Sequence, residues 1–178
     1  SLAIYAAERA QSAFHNHYIS FSARAQLVEV KGEDIVDKVA HIVQSNVCED
    51  TNLESVFDLV LNTAISHNLS PDALPESLVI ITDGQVNEVT NHYNSDMPTF
   101  MQSMREEWHR KCHGKYTFPK VYFWNVNSRV GNYLDDYDSG ITFVSGASPV
   151  LLKQVISGLT GIEVMMDILN APRYSFIN

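Results

Sequence analysis

The sequence predicts an α/β fold: a doubly wound, mainly parallel sheet with one antiparallel edge hairpin and helices on both faces. Three observations support it. Short runs of β-branched and aromatic residues at 78–81 and 120–126 are typical of strands buried on both faces. Segments of helical periodicity, each ten or more residues long, separate the strands, as parallel connections require. Two alternating stretches, HYISFS and QLVEVK, indicate an antiparallel hairpin.

The amino-terminal half begins with an alanine-rich helical pattern over residues 2–17. The two hairpin strands follow, joined by a short connection. Apolar residues then recur at helical spacing in two segments, over 35–43 and 53–65. We expect both segments to be helices with one buried face.

The carboxyl-terminal half alternates strands and helices. After the strand at 78–81 and a polar loop, a stripe containing Phe100, Met101 and Trp108 predicts a helix that packs in the core. The remaining predicted elements are a strand at 120–126, a short strand at 142–146, a helix at 148–159 with a serine-proline start, and a last helix around 162–169.

Composition limits the class of protein. A chain of 178 residues with 45% hydrophobic and 19% charged residues is typical of one soluble globular domain, residues 1–178. A net charge of -9 with 12 Lys and Arg argues against a nucleic-acid binder. A local basic patch is still compatible with this overall charge. Two cysteines are too few for a disulfide framework, which favours a reducing, cytoplasmic location.

The ends of the sequence carry no membrane or secretory signal. No apolar stretch approaches the roughly 18 residues that span a bilayer, and no basic segment followed by an apolar one opens the chain. We therefore expect no membrane partner. Because the first residues already follow a helical pattern without an initial Met, we expect the chain to be truncated at its amino terminus.

Two oxygen-bearing residues are candidate metal ligands. Asp83 follows the apolar run 78–81 and so falls at the carboxyl end of a strand, where ligands bind in open α/β sheets. Thr51 lies just ahead of a predicted helix. Carboxylate and hydroxyl oxygens are ligands for Mg²⁺, Mn²⁺ or Ca²⁺. Structural explanations are also available, because Asp-Gly favours a turn and Thr51 with Glu54 has the spacing of a capping box.

The order of elements, with a threonine loop and LVIITDGQ, resembles a von Willebrand factor A domain. In that family a metal-ion-dependent adhesion site combines an Asp-x-Ser-x-Ser loop, a threonine and an aspartate, and Thr51 and Asp83 match the last two. The stretches KVYFWNVNS and FVSGASPVLLKQVISG look like the carboxyl-terminal half of an uncharacterised DUF-type family of bacteria, viruses and plants. That half is itself similar to von Willebrand A domains and, distantly, to Ro ribonucleoproteins.

The sequence departs from this pattern at its start. It lacks the first strand and the Asp-x-Ser-x-Ser loop. In the family that strand lies at the centre of the sheet. Without it, the neighbouring strands would keep buried backbone groups that have no hydrogen-bond partner, and each such group costs about 1–3 kcal/mol. We expect an upstream segment or another chain to supply it. The resemblance implies a bound divalent ion whose coordination is completed by a carboxylate of a protein partner. With Thr51 and Asp83 as its only ligands in this chain, we expect the ion to bind weakly.

Three other clusters were candidates for ligand binding. His109, Cys112 and His113 have helical spacing that predicts a shared face, which could hold zinc or form a polar helix end. The adjacent Arg110, Lys111 and Lys115 could contact RNA or simply complement the helix dipole. The acidic segment 134–140 lacks the length and terminal glutamate of a calcium loop and predicts an exposed turn.

These residues favour a non-enzymatic protein-interaction module that uses a partial metal-ion-dependent adhesion site. A first alternative is a metal-dependent hydrolase or phosphoryl-transfer enzyme with Asp83 holding the ion, but no convincing nucleophile or base lies near it in the sequence. A second alternative is an RNA-associated scaffold, which would bind RNA in a salt-sensitive way.

Overall fold

A computed structural model describes residues 2–21, 24–45, 52–82, 97–127, 132–136, 140–146, 149–158 and 161–174. The chain divides into two compact units. Unit 1 consists of residues 1–76 and 99–118, and unit 2 consists of residues 77–98 and 119–178. Both helices and strands are present, with three parallel strands in a four-strand sheet and a separate antiparallel two-strand sheet, so the α/β class is confirmed.

Unit 1 combines a small sheet with helices. Its strands β1 and β2 pair in antiparallel register from His17 opposite Glu29 to Phe21 opposite Ala25, which confirms the predicted hairpin. In the described residues, however, this hairpin forms a two-strand sheet of its own and not the predicted edge of the parallel sheet. Its elements are α1 (Leu2–Ala7), β1 (His17–Phe21), β2 (Ala25–Glu29), α2 (Ile35–Ser45), α3 (Leu53–Ser66) and most of α4 (Met97–Cys112).

Unit 2 contains a four-strand sheet in the order β3-β4-β6-β5. Strands β3, β4 and β6 are parallel, and β5 runs antiparallel to β6 at the edge. Its elements are β3 (Ser77–Thr82), β4 (Lys120–Asn125), β5 (Asn132–Asp136), β6 (Ile141–Ser145), α5 (Pro149–Ser157) and α6 (Gly161–Leu169).

Helix α3 forms the centre of the core of unit 1. Its apolar residues recur at helical spacing, and most of them face inward as the periodicity predicts, but Ile65 is exposed. The Phe57 ring stacks on Phe118 at 5.1 Å between centroids, and Trp108 meets Phe118 edge-on at 5.3 Å. The buried residues of α3 are Leu53, Val56, Phe57, Val60, Leu61 and Ala64.

Strand β4 forms the centre of the core of unit 2. It has a hydrogen-bonded strand on each side, and its residues 121–124 are all buried. The Phe123 ring stacks on Phe143 at 6.0 Å. The Trp124 indole N–H donates to the carbonyl oxygen of Gly146 at 2.7 Å, so even the polar atom of this side chain is satisfied. A continuous apolar run therefore marks a central parallel strand.

The first helix is much shorter than its alanine-rich pattern predicts. Helix α1 ends at Ala7, a short 3₁₀ turn spans Ser12–Phe14, and His17 already belongs to β1. Asn16 takes a positive φ of 57°, and its N–H donates to the carbonyl oxygen of Ala7. This turn reverses the chain, so tertiary packing overrides the local helix propensity.

The predicted buried face of α2 is wrong. Val36 and Val43 are each 70% exposed, and Ile35 and Val39 are also exposed. Of the apolar residues of this helix, Ile42 packs against the small cluster formed by Ile4, Ala7 and Val30. A polar contact also holds the helix, because Lys38 Nζ donates to Glu8 Oε1 at 2.6 Å. Periodicity predicted the helix correctly but not its environment.

The acidic segment near residue 135 is also different from the prediction. Asp135 and Asp136 belong to β5 rather than to a turn, and Asp136 pairs with Ile141 of β6. Charged residues are depleted in central strands but are a common protection for edge strands. An edge position therefore explains why a sequence with low strand propensity forms a strand here.

Gly32, which precedes α2, offers a test of local packing. Its φ is +141°, and a Cβ at this position would lie 2.7 Å from both the Asp37 Cβ and the Lys38 backbone nitrogen. Because backbone atoms must then move, we expect Gly32→Ala to lower the free energy of unfolding by about 1–3 kcal/mol. Chemical denaturation would measure it. Glu33→Ala, at the exposed neighbouring position, should change it by less than about 0.5 kcal/mol; equal losses would contradict the steric argument.

Candidate functional site

Polar residues meet at one end of the sheet of unit 2. Thr82 at the end of β3 is in register with Asn125 of β4, which is in register with Ser145 of β6. Ser145 is in turn opposite Asn132, the first residue of the antiparallel β5. We call Thr82, Asn125, Ser145 and Asn132 the polar row. Each member carries a side-chain oxygen, at the carboxyl ends of three parallel strands where open α/β sheets bind ligands.

Hydrogen bonds hold the strand ends next to this row. The Val126 N–H donates to the carbonyl oxygen of Thr82 at 3.0 Å, and the Gly146 N–H donates to that of Asn125 at 2.9 Å. The Asn125 side-chain oxygen accepts from the Asn127 N–H at 3.0 Å. Thr82, Asn125 and Ser145 are half-buried. The row is therefore built on hydrogen-bonded strand ends and is accessible to solvent in part.

The two predicted metal ligands lie outside the described residues. Asp83 directly follows Thr82 in the sequence, and Thr51 directly precedes Asn52. Their meeting at one site stays a prediction. What the structure does describe is the element beside each of them, the end of β3 in unit 2 and the start of α3 in unit 1.

The capping box predicted from Thr51 and Glu54 is wrong. The residue at the N-cap of α3 is Asn52, whose side-chain oxygen accepts from the Ser55 N–H at 3.0 Å. The Ser55 hydroxyl donates to the Asn52 carbonyl oxygen and accepts from the Ala25 N–H at 3.0 Å, so it ties the start of the helix to β2. Asparagine is among the preferred N-cap residues, and here it supplies the function assigned to the threonine.

The shared helix face predicted for the zinc candidates is also wrong. Helix α4 ends at Cys112, and His113 has a positive φ of 51°, so it leaves the helical path. The Gly114 N–H donates back to the carbonyl oxygen of His109, as in a Schellman helix end. The Cys112 thiol is buried and lies 3.6 Å from the carbonyl oxygen of Tyr116. The segment therefore forms a helix terminus.

Carboxylates balance much of the predicted basic patch. Lys111 Nζ donates to Asp58 Oδ1 at 2.6 Å and lies 2.9 Å from Glu107 Oε1, which also pairs with Arg110 at 3.5 Å. Lys115 Nζ donates to a side-chain oxygen, that of Asn68, at 3.0 Å. Because nucleic-acid affinity depends on positive charge that is free to neutralise phosphates, these pairs weaken the RNA alternative.

The cluster around Lys111 predicts a pH-dependent contribution to stability. The hydrogen bond from Lys111 lowers the pKa of Glu107 below its usual 4.5, and the hydrogen bond to Asp58 raises the pKa of Lys111 above 10.5. Because the pKa of Glu107 is lowered in the folded protein, its carboxylate stabilises the fold when the pH is above the pKa of Glu107 in the unfolded chain. This contribution is lost as the pH falls through the folded-state pKa. Because the pKa of Lys111 is raised in the folded protein, its ammonium group stabilises the fold when the pH is below the pKa of Lys111 in the unfolded chain. This contribution is lost as the pH rises through the folded-state pKa.

We therefore expect Lys111→Met to lower the free energy of unfolding most between about pH 5 and pH 10. Because these groups are partly exposed, the loss should stay below about 1 kcal/mol. Denaturant titrations at several pH values would measure it. Lys120→Met, which removes the same charge from an exposed lysine outside the cluster, is the control; a pH-independent difference for Lys111→Met would contradict the ion-pair interpretation.

Within the ranges that the structure describes, no group of three or more His, Cys, Asp or Glu side chains could hold a metal ion. The polar row contributes neutral oxygens, so a divalent cation there would depend on a carboxylate such as Asp83. Across the same described ranges, no helix is long and apolar enough to cross a membrane.

Sequence reasoning missed the polar row. The signal was present, because Asn125 and Ser145 each end an apolar run, as Asp83 follows one. Recognising a site from them requires the order and direction of the strands, which the sequence does not state. Only the register shows that the ends of β3, β4 and β6 coincide.

Comparisons with known proteins cover most of the chain. A family model described as "Domain of unknown function (DUF7788)" matches residues 1–167. The chain is also 31% identical over 160 residues to "Uncharacterized protein L728" of Acanthamoeba polyphaga mimivirus. That alignment covers 88% of this chain and 27% of the viral protein, so the chain spans well under half of that relative's length. No solved structure matches the chain.

Proposed function

This chain belongs to the DUF7788 family of unknown function, and we propose that it is a non-enzymatic module that binds a protein partner at the carboxyl ends of β3, β4 and β6. Membership confirms the resemblance to an uncharacterised family. The likeness to von Willebrand factor A domains is part of the proposal, and it suggests that recognition, rather than a chemical step, takes place at this end of the sheet.

The polar row is the observation that carries this proposal. Four strands end or begin there with Thr82, Asn125, Ser145 and Asn132, whereas the row before it on the three parallel strands consists of Ile81, Trp124 and Val144. The abrupt change from apolar to oxygen-bearing residues is hard to explain by packing alone, because threonine, asparagine and serine add little to a core. Asp83, the residue after Thr82, adds negative charge beside this row in the sequence.

The resemblance adds a divalent ion to this proposal. Asp83 would supply an anionic ligand and Thr51 a hydroxyl, and a carboxylate of the partner would complete the coordination. A bound Mg²⁺ would act as an electrostatic bridge between the two proteins, since it prefers oxygen ligands and keeps positions for water or a partner. Within this chain the affinity for the ion should be weak, because few anionic groups offset the dehydration of a small, hard cation.

Asp83→Asn tests this proposal, because it removes the charge and keeps the size of the side chain. We expect Mn²⁺ or Mg²⁺ affinity, measured by titration calorimetry, to fall by roughly tenfold or more, equivalent to about 1.4 kcal/mol. Thr51→Ala should cause a smaller loss, since it removes a neutral ligand. Immobilised protein should retain its partner in Mg²⁺ and release it in a chelator, and the Asp83→Asn variant should not retain it.

Asp136→Asn is the matched control. It makes the same chemical change away from the polar row, because Asp136 pairs with Ile141, the first residue of β6, whereas Ser145 is its last. This variant should keep both ion binding and partner retention. Equal losses in the two variants would indicate a general charge effect, and unchanged binding in Asp83→Asn would count against the proposed site. Circular dichroism of each variant would show that the fold is intact.

A further inference from the structure

The last helix exposes an apolar face that includes two methionines. On α6, Ile162 is 61% exposed, Met165 51%, Met166 47% and Leu169 49%. These residues have the spacing i, i+3, i+4 and i+7, which places them along one side of a helix. We call them the α6 stripe. Val164, on another side of α6, is buried.

The accessibility of methionines differs sharply along the chain. Met101, in α4, is completely buried, and Met104 is half-buried. A thioether reacts with an oxidant only when the oxidant can reach the sulfur, so the two methionines of the α6 stripe should react before Met101. The product, methionine sulfoxide, is polar and disrupts methionine-rich apolar surfaces.

We propose that Met165 and Met166 form a peroxide-sensitive modification site that controls the apolar character of the α6 stripe. In each reaction the sulfur lone pair takes one oxygen atom from hydrogen peroxide. The O–O bond breaks, an S–O bond forms, the sulfur is oxidised by two electrons, and the peroxide is reduced to water. Methionine sulfoxide reductases reverse this oxidation, so the site has the chemistry of a reversible switch.

Oxidation changes the centre of the stripe rather than its ends. Met165 and Met166 lie between Ile162 and Leu169 along the helix, so two polar sulfoxides would interrupt the stripe and separate Ile162 from Leu169 and the exposed Ile168. A contiguous exposed apolar patch can bind a protein or an apolar probe, whereas isolated apolar residues are ordinary features of a protein surface. The α6 stripe should therefore lose its affinity for apolar molecules when both methionines are oxidised.

Peptide mapping by mass spectrometry after graded hydrogen peroxide treatment tests the accessibility argument. We expect Met165 and Met166 to be oxidised roughly tenfold faster than Met101, with Met104 between them. Similar rates for Met101 and the stripe, or faster oxidation of Met101, would overturn the proposal. Addition of methionine sulfoxide reductase should restore the unmodified peptide.

Binding of the dye 1-anilinonaphthalene-8-sulfonate tests the consequence. We expect peroxide to reduce dye fluorescence severalfold in the wild-type protein but not in the double variant Met165→Leu, Met166→Leu. Leucine keeps the apolar surface and the helix propensity and cannot be oxidised at sulfur. An equal decrease in both proteins would place the peroxide effect elsewhere and overturn the proposal.

Discussion

Trp124→Ala is expected to lower the free energy of unfolding of unit 2 by about 3–5 kcal/mol, the range for a large aromatic residue removed from a core. Trp124 is 2% exposed, in a strand with a hydrogen-bonded neighbour on each side. The truncation leaves a cavity on the face of the sheet that holds the indole ring. It also leaves the Gly146 carbonyl oxygen without its indole donor, which adds to the loss because this residue is buried.

Trp124→Phe separates the two contributions. Phenylalanine fills most of the space but cannot donate to Gly146, so we expect a loss of about 1–3 kcal/mol. A urea titration monitored by circular dichroism would measure the free energy of unfolding of both variants without relying on tryptophan fluorescence. If Trp124→Ala proved no more destabilising than Trp124→Phe, the cavity argument would be refuted.

Leu61→Ala is expected to lower the free energy of unfolding of unit 1 by about 2–5 kcal/mol, because a buried leucine loses both its burial and its packing contacts. Leu61 is 1% exposed on α3, whose buried face forms the centre of this unit. The site of the mutation is far from any helix end that could fray, since α3 extends from Leu53 to Ser66. The loss should therefore appear in the unfolding of the whole unit.

Ile65→Ala on the same helix is the matched control. Ile65 lies one turn further along α3 but is 46% exposed, so its truncation removes less buried surface. We expect a change below about 1 kcal/mol, partly offset by the higher helix propensity of alanine. Equal losses at positions 61 and 65, measured by the same urea titration, would show that the buried face of α3 is assigned incorrectly.

Residues with strong and unambiguous patterns were predicted well. The run ending at Trp124 and the run 78–81 are strands, as their β-branched and aromatic residues indicate. Helix α3 buries its predicted face as far as Ala64, but Ile65, which belongs to the same predicted face, is exposed. Such patterns are reliable because a central strand and a core helix are each surrounded by protein, so their sequence carries the full signal of burial.

The failures have physical causes. Helix α2 has the right period but exposes Val36 and Val43, because periodicity describes which residues share a face and not what that face contacts. Asp136 lies in an edge strand although aspartate disfavours strands, since the pairing with Ile141 decides the structure. The cap of α3 was misplaced by one residue, from Asn52 to Thr51, because both residue types accept hydrogen bonds at helix starts.

The candidate site was predictable in part. A sequence can show that Asp83 follows a strand, but it cannot show which other strand ends are neighbours. The parallel register that aligns Asn125 and Ser145 with Thr82 comes from long-range pairing. The assembly of Thr51 with Asp83 stays a prediction, because both residues lie outside the described ranges. The expected central strand stays a prediction as well.

The shared register of β4 with its neighbours has a consequence for how this family can vary. A one-residue insertion or deletion within β4 would turn every following side chain to the opposite face of the sheet. Asn125 would leave its place beside Thr82 and Ser145, and Trp124 would turn to the face that now holds Phe123, where its side chain does not fit the existing packing. Changes in strand length within β4 would thus disturb the core and the polar row together, so we expect the proposed site to tolerate exchanges of residue type at fixed positions better than insertions or deletions.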